Sequence, residues 1–256
     1  NSRKDYLSSR SINSDATSYL DSSDSSKLDG GSTIVNVALG GGASTGESGS
    51  AGLGVSYNGL ANIMNVSMSD NNSITAKNIN TNSANASEIV NVTLGLAGSN
   101  KSFSGAGSAG ITDLKNDSVI KISDSNITAD KFSNSATSDA DIVNVAGQAA
   151  LASKFAGGLT FAYNAMNNTA ETNIKGGTLN VGNFDAIANN DNYAFGLGAG
   201  VSYSKNSSAL NGSVALNMGT NSTKAIVDGS TINNLNAMNV TATDKTSKTT
   251  IAGGVR

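Results

Sequence analysis

Along most of the chain, apolar residues alternate with polar or very small ones. Leu53-Val55-Tyr57, Met64-Val66-Met68, Leu159-Phe161-Tyr163, Leu197-Ala199-Val201-Tyr203 and Val214-Leu216-Met218 all step by two. That period belongs to strands with one covered face, so these residues are expected to point inward. Asn-Gly, Asp-Gly, Gly-Gly and Asp-Asn pairs break the pattern and predict short strands joined by turns. The Ala-rich stretch from Ala146 to Ala156 is the one helix candidate, and its equivalents elsewhere in the chain look extended.

A longer beat lies over this alternation. Asn62, Asn116, Asn168 and Asn221 recur about every 53 residues. Five residues before each stands Tyr57, Ile111, Tyr163 or Leu216, and six after stands Met68, Ile122, Ile174 or Val227. A third apolar position (Ile74, Ile127, Leu179, Ile232) follows a turn-like pair: Asp70-Asn71, Asp124-Ser125, Gly176-Gly177 or Gly229-Ser230. Ile34-Val35-Asn36-Val37, Ile89-Val90-Asn91-Val92 and Ile142-Val143-Asn144-Val145 keep the same period and add Asn36, Asn91 and Asn144 to the repeating asparagines. A fixed period of this length means one structural unit copied along an axis.

The units divide the chain into a partly irregular tail of an earlier repeat (1–33), repeats at 34–88, 89–141, 142–194 and 195–250, and the start of another at 251–256. Both ends fall inside a unit, so the chain is expected to be a piece of a longer protein. Copies stacked at one angular position bury the same face each time, which favours an all-β parallel β-solenoid over a closed sandwich or barrel. Two to three coils of about 18 to 27 residues per unit, stacked at about 4.8 Å, would make some ten coils and a rod of roughly 50 Å. The asparagines then act as brackets for inward-facing amides at a bend, stacking directly only if each unit is one coil. Alternatively they mark exposed left-handed turns.

Composition fits a thin interior. The 256 residues include 29 Gly and no Pro, Cys, Trp or His; 38% are hydrophobic and 5% aromatic. The regular apolar beat argues against disorder for the whole chain, with Ser8 to Gly31 as the local exception. A net charge of −3 without a basic cluster argues against nucleic-acid binding. No run of 18 apolar residues could cross a membrane as a helix. A Cys-free chain suits one that must stay unfolded while crossing an outer membrane.

Several motifs suggest chemistry and lack its other requirements. Gly105-Ala106-Gly107-Ser108-Ala109-Gly110 has dinucleotide spacing, but strand-like Ile111 and Leu114 follow it where a helix is needed. Gly42-Ala43-Ser44-Thr45-Gly46 has a nucleophile-elbow pattern without any histidine to take the proton. Ser118/Lys121 and Ser202/Lys205 have dyad spacing, but residues three apart on a strand face opposite sides. Asp21, Asp24 and Asp29, or the turn residues Asp70 and Asp124, could attract calcium; no EF-hand pattern accompanies them, and solvated turns explain them better. Asn91-Val-Thr93, Asn126-Ile-Thr128 and Asn221-Ser-Thr223 are triplets that this composition produces by chance. A carbohydrate enzyme would need clustered carboxylates, and the acids are scattered. No catalytic residue, metal, cofactor or small-molecule substrate is expected.

The stretch Tyr163 to Ile174 followed by Gly176-Gly177-Thr178-Leu179, and its copy from Leu216 to Ile232, resemble the repeating unit V-N-x-I-x-N-x-T-x-A-x-I-x-x-S-x-[IV] of filamentous-haemagglutinin-like two-partner-secretion exoproteins. In its Asn-rich, Pro-free style the chain is most similar to their fusobacterial leukotoxin group. The likeness covers roughly residues 34 to 251 and departs at places such as Ile111-Thr112. It implies a right-handed β-helical fibre, exported by an outer-membrane secretion partner and secreted or displayed at the cell surface. It further implies adhesion to a host-cell receptor or leukocyte toxicity, with the fibre as stalk and contact surface. A self-assembling surface or biofilm polymer is the alternative.

Overall fold

A computed structural model describes residues 18–19, 24–46, 48–69 and 73–256, with side-chain surroundings described from Ser32 onward. The candidate irregular stretch falls partly outside these residues, as do Asp21 and the Asp70-Asn71 pair. All regular structure among the described residues is β: β1 (Ser18–Tyr19), β2 (Asp24–Ser44), β3 (Ser50–Met68), β4 (Ser73–Ser99), β5 (Phe103–Ser123), β6 (Asn126–Ala152), β7 (Phe155–Lys175), β8 (Thr178–Ser204), β9 (Ala209–Asp228), β10 (Thr231–Asn233) and β11 (Ala237–Val255). The even-numbered strands, β1 and β11 form one sheet, and β3, β5, β7 and β9 form the other. All pairing is parallel. The all-β parallel solenoid expected from the repeat is therefore the architecture. Ala146–Ala156 is extended, completing β6 and opening β7.

The number of coils differs from expectation. Partners on neighbouring strands lie from 52 residues apart (Phe103 with Phe155) to 56 (Ser18 with Ile74). Each unit is thus one coil, a strand in each sheet joined by two turns, and not two or three shorter coils. Asn-Gly and Asp-Gly pairs that look like turns, Asn58-Gly59 and Asp29-Gly30, run straight through β3 and β2. An in-register copy above and below satisfies every backbone group, so a strand need not stop where its local sequence is turn-prone. At about 3.3 Å per residue the 21-residue strands extend about 70 Å, while four coils rise only about 20 Å. The result is a broad plate and not a slender 50 Å rod. By register, Ile34 is succeeded by Ile89, Ile142, Ala194 and Lys248, placing the last two unit starts slightly earlier than 195 and 251.

One end of the plate is thick and apolar. Ile74, Ile127, Leu179 and Ile232 stack in register, as do Met68, Ile122, Ile174 and Val227 on the facing sheet. Lys77, Asp130 and Gly182 fall out of the pairing at the same level. The strands turn a corner there, and the inward face changes from Ile74 to Ile79 parity. Phe132 and Phe184, both fully buried with ring centroids 5.7 Å apart, fill that corner. The turn pairs close this end: Asp124, Gly176, Gly177 and Gly229 all have positive φ. At Gly177 (φ 73°) a Cβ would also lie 2.1 Å from the Ser125 carbonyl, so glycine is required twice over.

The other end is thin. A Cβ on Gly52 would lie 1.8 Å from the Leu96 carbonyl oxygen, and one on Gly95 equally close to that of Gly107. The two sheets meet there backbone to backbone. Gln148 is the large exception, and it rests on Gly158 and Gly200, whose missing side chains leave the space it occupies. Large side chains do not fit between such sheets. Leu53, Tyr57, Leu159, Val201, Leu216 and their alternating neighbours therefore point outward, opposite to the expectation; of the five alternating sets only Met64-Val66-Met68 faces in.

Candidate contact surface

The repeating asparagines sit inside the strands, neither at bends nor at exposed turns. Asn62, Asn116, Asn168 and Asn221 are direct register partners on the second sheet. Asn36, Asn91 and Asn144 are partners on the first. Asn116 is fully buried; its Nδ2 donates to the Asp139 carbonyl (2.7 Å) and its backbone N–H to Asn168 Oδ1 (3.2 Å). Asn168 donates in turn to Asn192, and Asn221 to Thr246 (2.6 Å).

A facing row was not singled out from the sequence. Asn58, Thr112, Asn164 and Asn217 are register partners that oppose Asn36, Asn91 and Asn144 across the interior. Asn36 donates to Asn58 (2.9 Å) and Asn91 to Asn144 (3.2 Å). Asn144 donates to the carbonyls of Gly110 (2.9 Å) and Tyr163 (3.1 Å) and to Asn164 Oδ1 (2.9 Å). Asn164 passes the chain to Asn217 at 2.7 Å. The signal was present, since these positions keep the same beat; Thr112 breaks the run of asparagine and hides it. These networks cross-brace the two sheets and are enclosed, so they are structural groups rather than a ligand site.

The motif residues are dispersed by the same geometry. Gly105 to Gly110 lie within β5, which continues as a strand. Ser118 is fully buried while Lys121 is exposed, and Ser202 is buried while Lys205 stands in a turn at the thin end. Among the described residues no group of three or more acidic side chains is placed to hold a metal ion.

What remains is the outer surface, which has two zones. The first is an acidic strip on the outside of the first sheet. Glu88 pairs with Asp141, and Asp139 with Asp191, in adjacent columns. With Ser32, Thr33, Ala86 and Ser87, the first three of these acids, Glu88, Asp141 and Asp139, border an open depression of about 300 Å³. Partial burial raises the Asp139 carboxyl above its ordinary range, and the facing Asp191 adds to it while the Ala140 backbone amide opposes it. Asp141 is raised by burial, then by Asp139, Glu88 and Asp191. A raised carboxyl binds its proton more tightly in the folded chain than in the unfolded one, so stability increases as pH falls from neutral toward about 4. Asp139→Asn is expected to stabilise the fold at pH 7 by roughly 0.5 kcal/mol by removing a like-charge pair. That advantage disappears below about pH 4; urea midpoints at the two pH values check it, and a gain independent of pH would refute the charge explanation.

The second zone surrounds the thin end. On the first sheet the outward columns run Val37, Val92, Val145, Leu197, Ile251, then Leu39, Leu94, Gly147, Ala199, Gly253, then Gly41, Leu96, Ala149, Val201, Val255. On the second they run Val55, Ala109, Phe161, Val214 and Tyr57, Ile111, Tyr163, Leu216. Val37, Leu96 and Tyr57 are among many that are half or more exposed. A shallow apolar dish of about 530 Å³ forms where Gly147 and Ala199 leave the first sheet's surface low. Both broad faces of one half of the plate are thus apolar.

No protein family, curated protein or solved structure matches this chain.

Proposed function

We propose that the chain is a non-catalytic structural and contact module of a large secreted or surface-displayed bacterial exoprotein of the adhesin or leukotoxin type. The carrying observation is the outer surface: one coil copied several times presents the same columns of side chains side by side on two broad, cleft-poor faces. Repeated presentation of this kind suits attachment to another surface better than the turnover of a single substrate. Export through an outer-membrane partner and recognition by a host-cell receptor belong to this reading and come from the resemblance of the repeat. Fluorescently labelled chain should bind leukocytes saturably in flow cytometry. Absence of binding at micromolar concentration sinks the direct contact role.

A further inference from the structure

The proposed contact role leaves open what the apolar half of the plate touches. We propose that it embeds in a lipid bilayer, with the strands of the thin end crossing the hydrocarbon region; this rests on the contact reading and names the partner.

Three independent features converge on lipid. The first is that the apolar surface is two-sided. A protein partner, or a second copy, would cover one face of a sheet and leave the other in water, whereas a bilayer surrounds both. The segments 34–46, 50–68, 89–99, 103–112, 142–152, 155–170 and 192–204 contain no Asp, Glu, Lys or Arg. On the first sheet charge resumes just beyond the band, at Glu88, Asp141 and Asp191; on the second, β5 carries Asp113 at its register partners Gly59 and Ala165, while β3 has no charge through Met68 and β7 none before Glu171.

The second is length. On β8 the outward residues run from Tyr193 to Tyr203, ten residues on. At about 3.3 Å per residue that is about 33 Å. The hydrocarbon core is about 30 Å, and a crossing strand needs about 9 to 11 residues.

The third is the placement of aromatics and lysines. Every aromatic residue with described surroundings, apart from the core pair Phe132 and Phe184, lies on the outer faces of this band. Several mark its limits: Phe103, Phe155 and Tyr203 near the turns, and Tyr57, Tyr163 and Tyr193 near the charged border. Aromatic rings favour that level of a membrane, at the headgroups. Beyond the first set, three turns each carry one exposed lysine, Lys101, Lys154 and Lys205. Backbone bonds from Lys154 N–H to Ser102 O and from Lys205 N–H to Ala152 O (both 3.0 Å) hold those turns together. They meet anionic headgroups on the far side.

The interior completes the pattern. Outward apolar and inward small or polar residues alternate along each crossing strand, as they do in membrane-spanning β-structure. The asparagine networks between the sheets are sealed from lipid by the sheets themselves. That no helix of the described residues is long and apolar enough to cross a membrane does not bear on strands. Open strand edges are costly in hydrocarbon, so inserted copies join edge to edge.

The chain has no tryptophan, so single replacements report depth cleanly. Ala199→Trp places the probe near mid-band at an exposed outer position, and Thr169→Trp places one on the outer face beyond it. With vesicles of phosphatidylcholine and phosphatidylglycerol at 3:1, the chain is expected to float on a density gradient and to stay bound in 1 M NaCl. Lipids brominated in mid-chain should quench Ala199→Trp at least threefold and leave Thr169→Trp unchanged. L96K/V201K, which alters outward positions only, should retain the β circular-dichroism spectrum and lose flotation at least tenfold. The proposal is overturned if the chain stays at the bottom of the gradient, if binding vanishes in 1 M NaCl, or if L96K/V201K floats like the parent. Lipid-free dimers abolished by L96K/V201K, without flotation of the parent, would assign the band to a second copy instead. Leukocyte binding that persists without vesicle binding would leave the contact role standing and remove only its lipid partner.

Discussion

Gly95→Val is expected to destabilise the fold by about 3 kcal/mol, at the upper end of the range for overpacked interiors. A Cβ at Gly95 would lie 1.8 Å from the Gly107 oxygen, 2.6 Å from its carbonyl carbon and 3.0 Å from its nitrogen. These are main-chain atoms of the opposite sheet, so no rotamer change relieves the overlap. The sheets must part, and the in-register coils on either side must part with them. Gly41 supplies the control: it stands on the neighbouring first-sheet strand, faces outward, and has nothing within 4 Å of a new Cβ. Gly41→Val should shift stability by no more than about 0.5 kcal/mol. Urea unfolding of both variants decides the matter. Equal midpoints would mean that the sheets do not meet at Gly95.

Asn144→Leu should cost a similar amount, about 3 kcal/mol, for a different reason. The volume changes little, but the Gly110 and Tyr163 carbonyls and Asn164 Oδ1 lose their donor, and Asn91 Nδ2 loses its acceptor. Each buried group left unmet costs about 1 to 3 kcal/mol, with partial relief where a carbonyl keeps its ladder bond. The decisive comparison is a double-mutant cycle with Asn91→Leu. Once Asn91 is also apolar its orphaned donor no longer exists, so the pair should be less costly than the sum by about 1 kcal/mol. Strict additivity would show that the asparagines do not act as one network.

The contrast between these variants shows what the sequence could reveal. The beat of Asn62, Asn116, Asn168 and Asn221 leads to stacked copies because repetition depends only on spacing. The number of coils does not follow from it. Asn58-Gly59 and Asp29-Gly30 are good turn formers locally, and only the neighbouring copies keep β2 and β3 extended through them. Strand polarity was equally hidden. Ile89-Val90-Asn91-Val92 carries apolar residues on both faces, so alternation alone cannot say which one is inside. The answer is set at a distance, by the corner at Lys77 and Asp130 that fixes the parity and by the glycines that bring the sheets together. The apolar outer band follows from that choice, and it became visible only once Leu96 and Val201 were seen to face out.

The unit of one coil also governs how such a chain can change length. Inserting a single residue within β6 would exchange its inner and outer faces from that point on, sending Ile142 toward water and Val143 toward Asn91. Inserting a residue in a turn such as Gly176-Gly177 leaves every face where it was. Length variation is therefore confined to the two hinges of each coil, and growth proceeds by whole coils. Partner spacings of 52 to 56 residues are the trace of that rule, because the differences between copies are absorbed in the turns and at the corners.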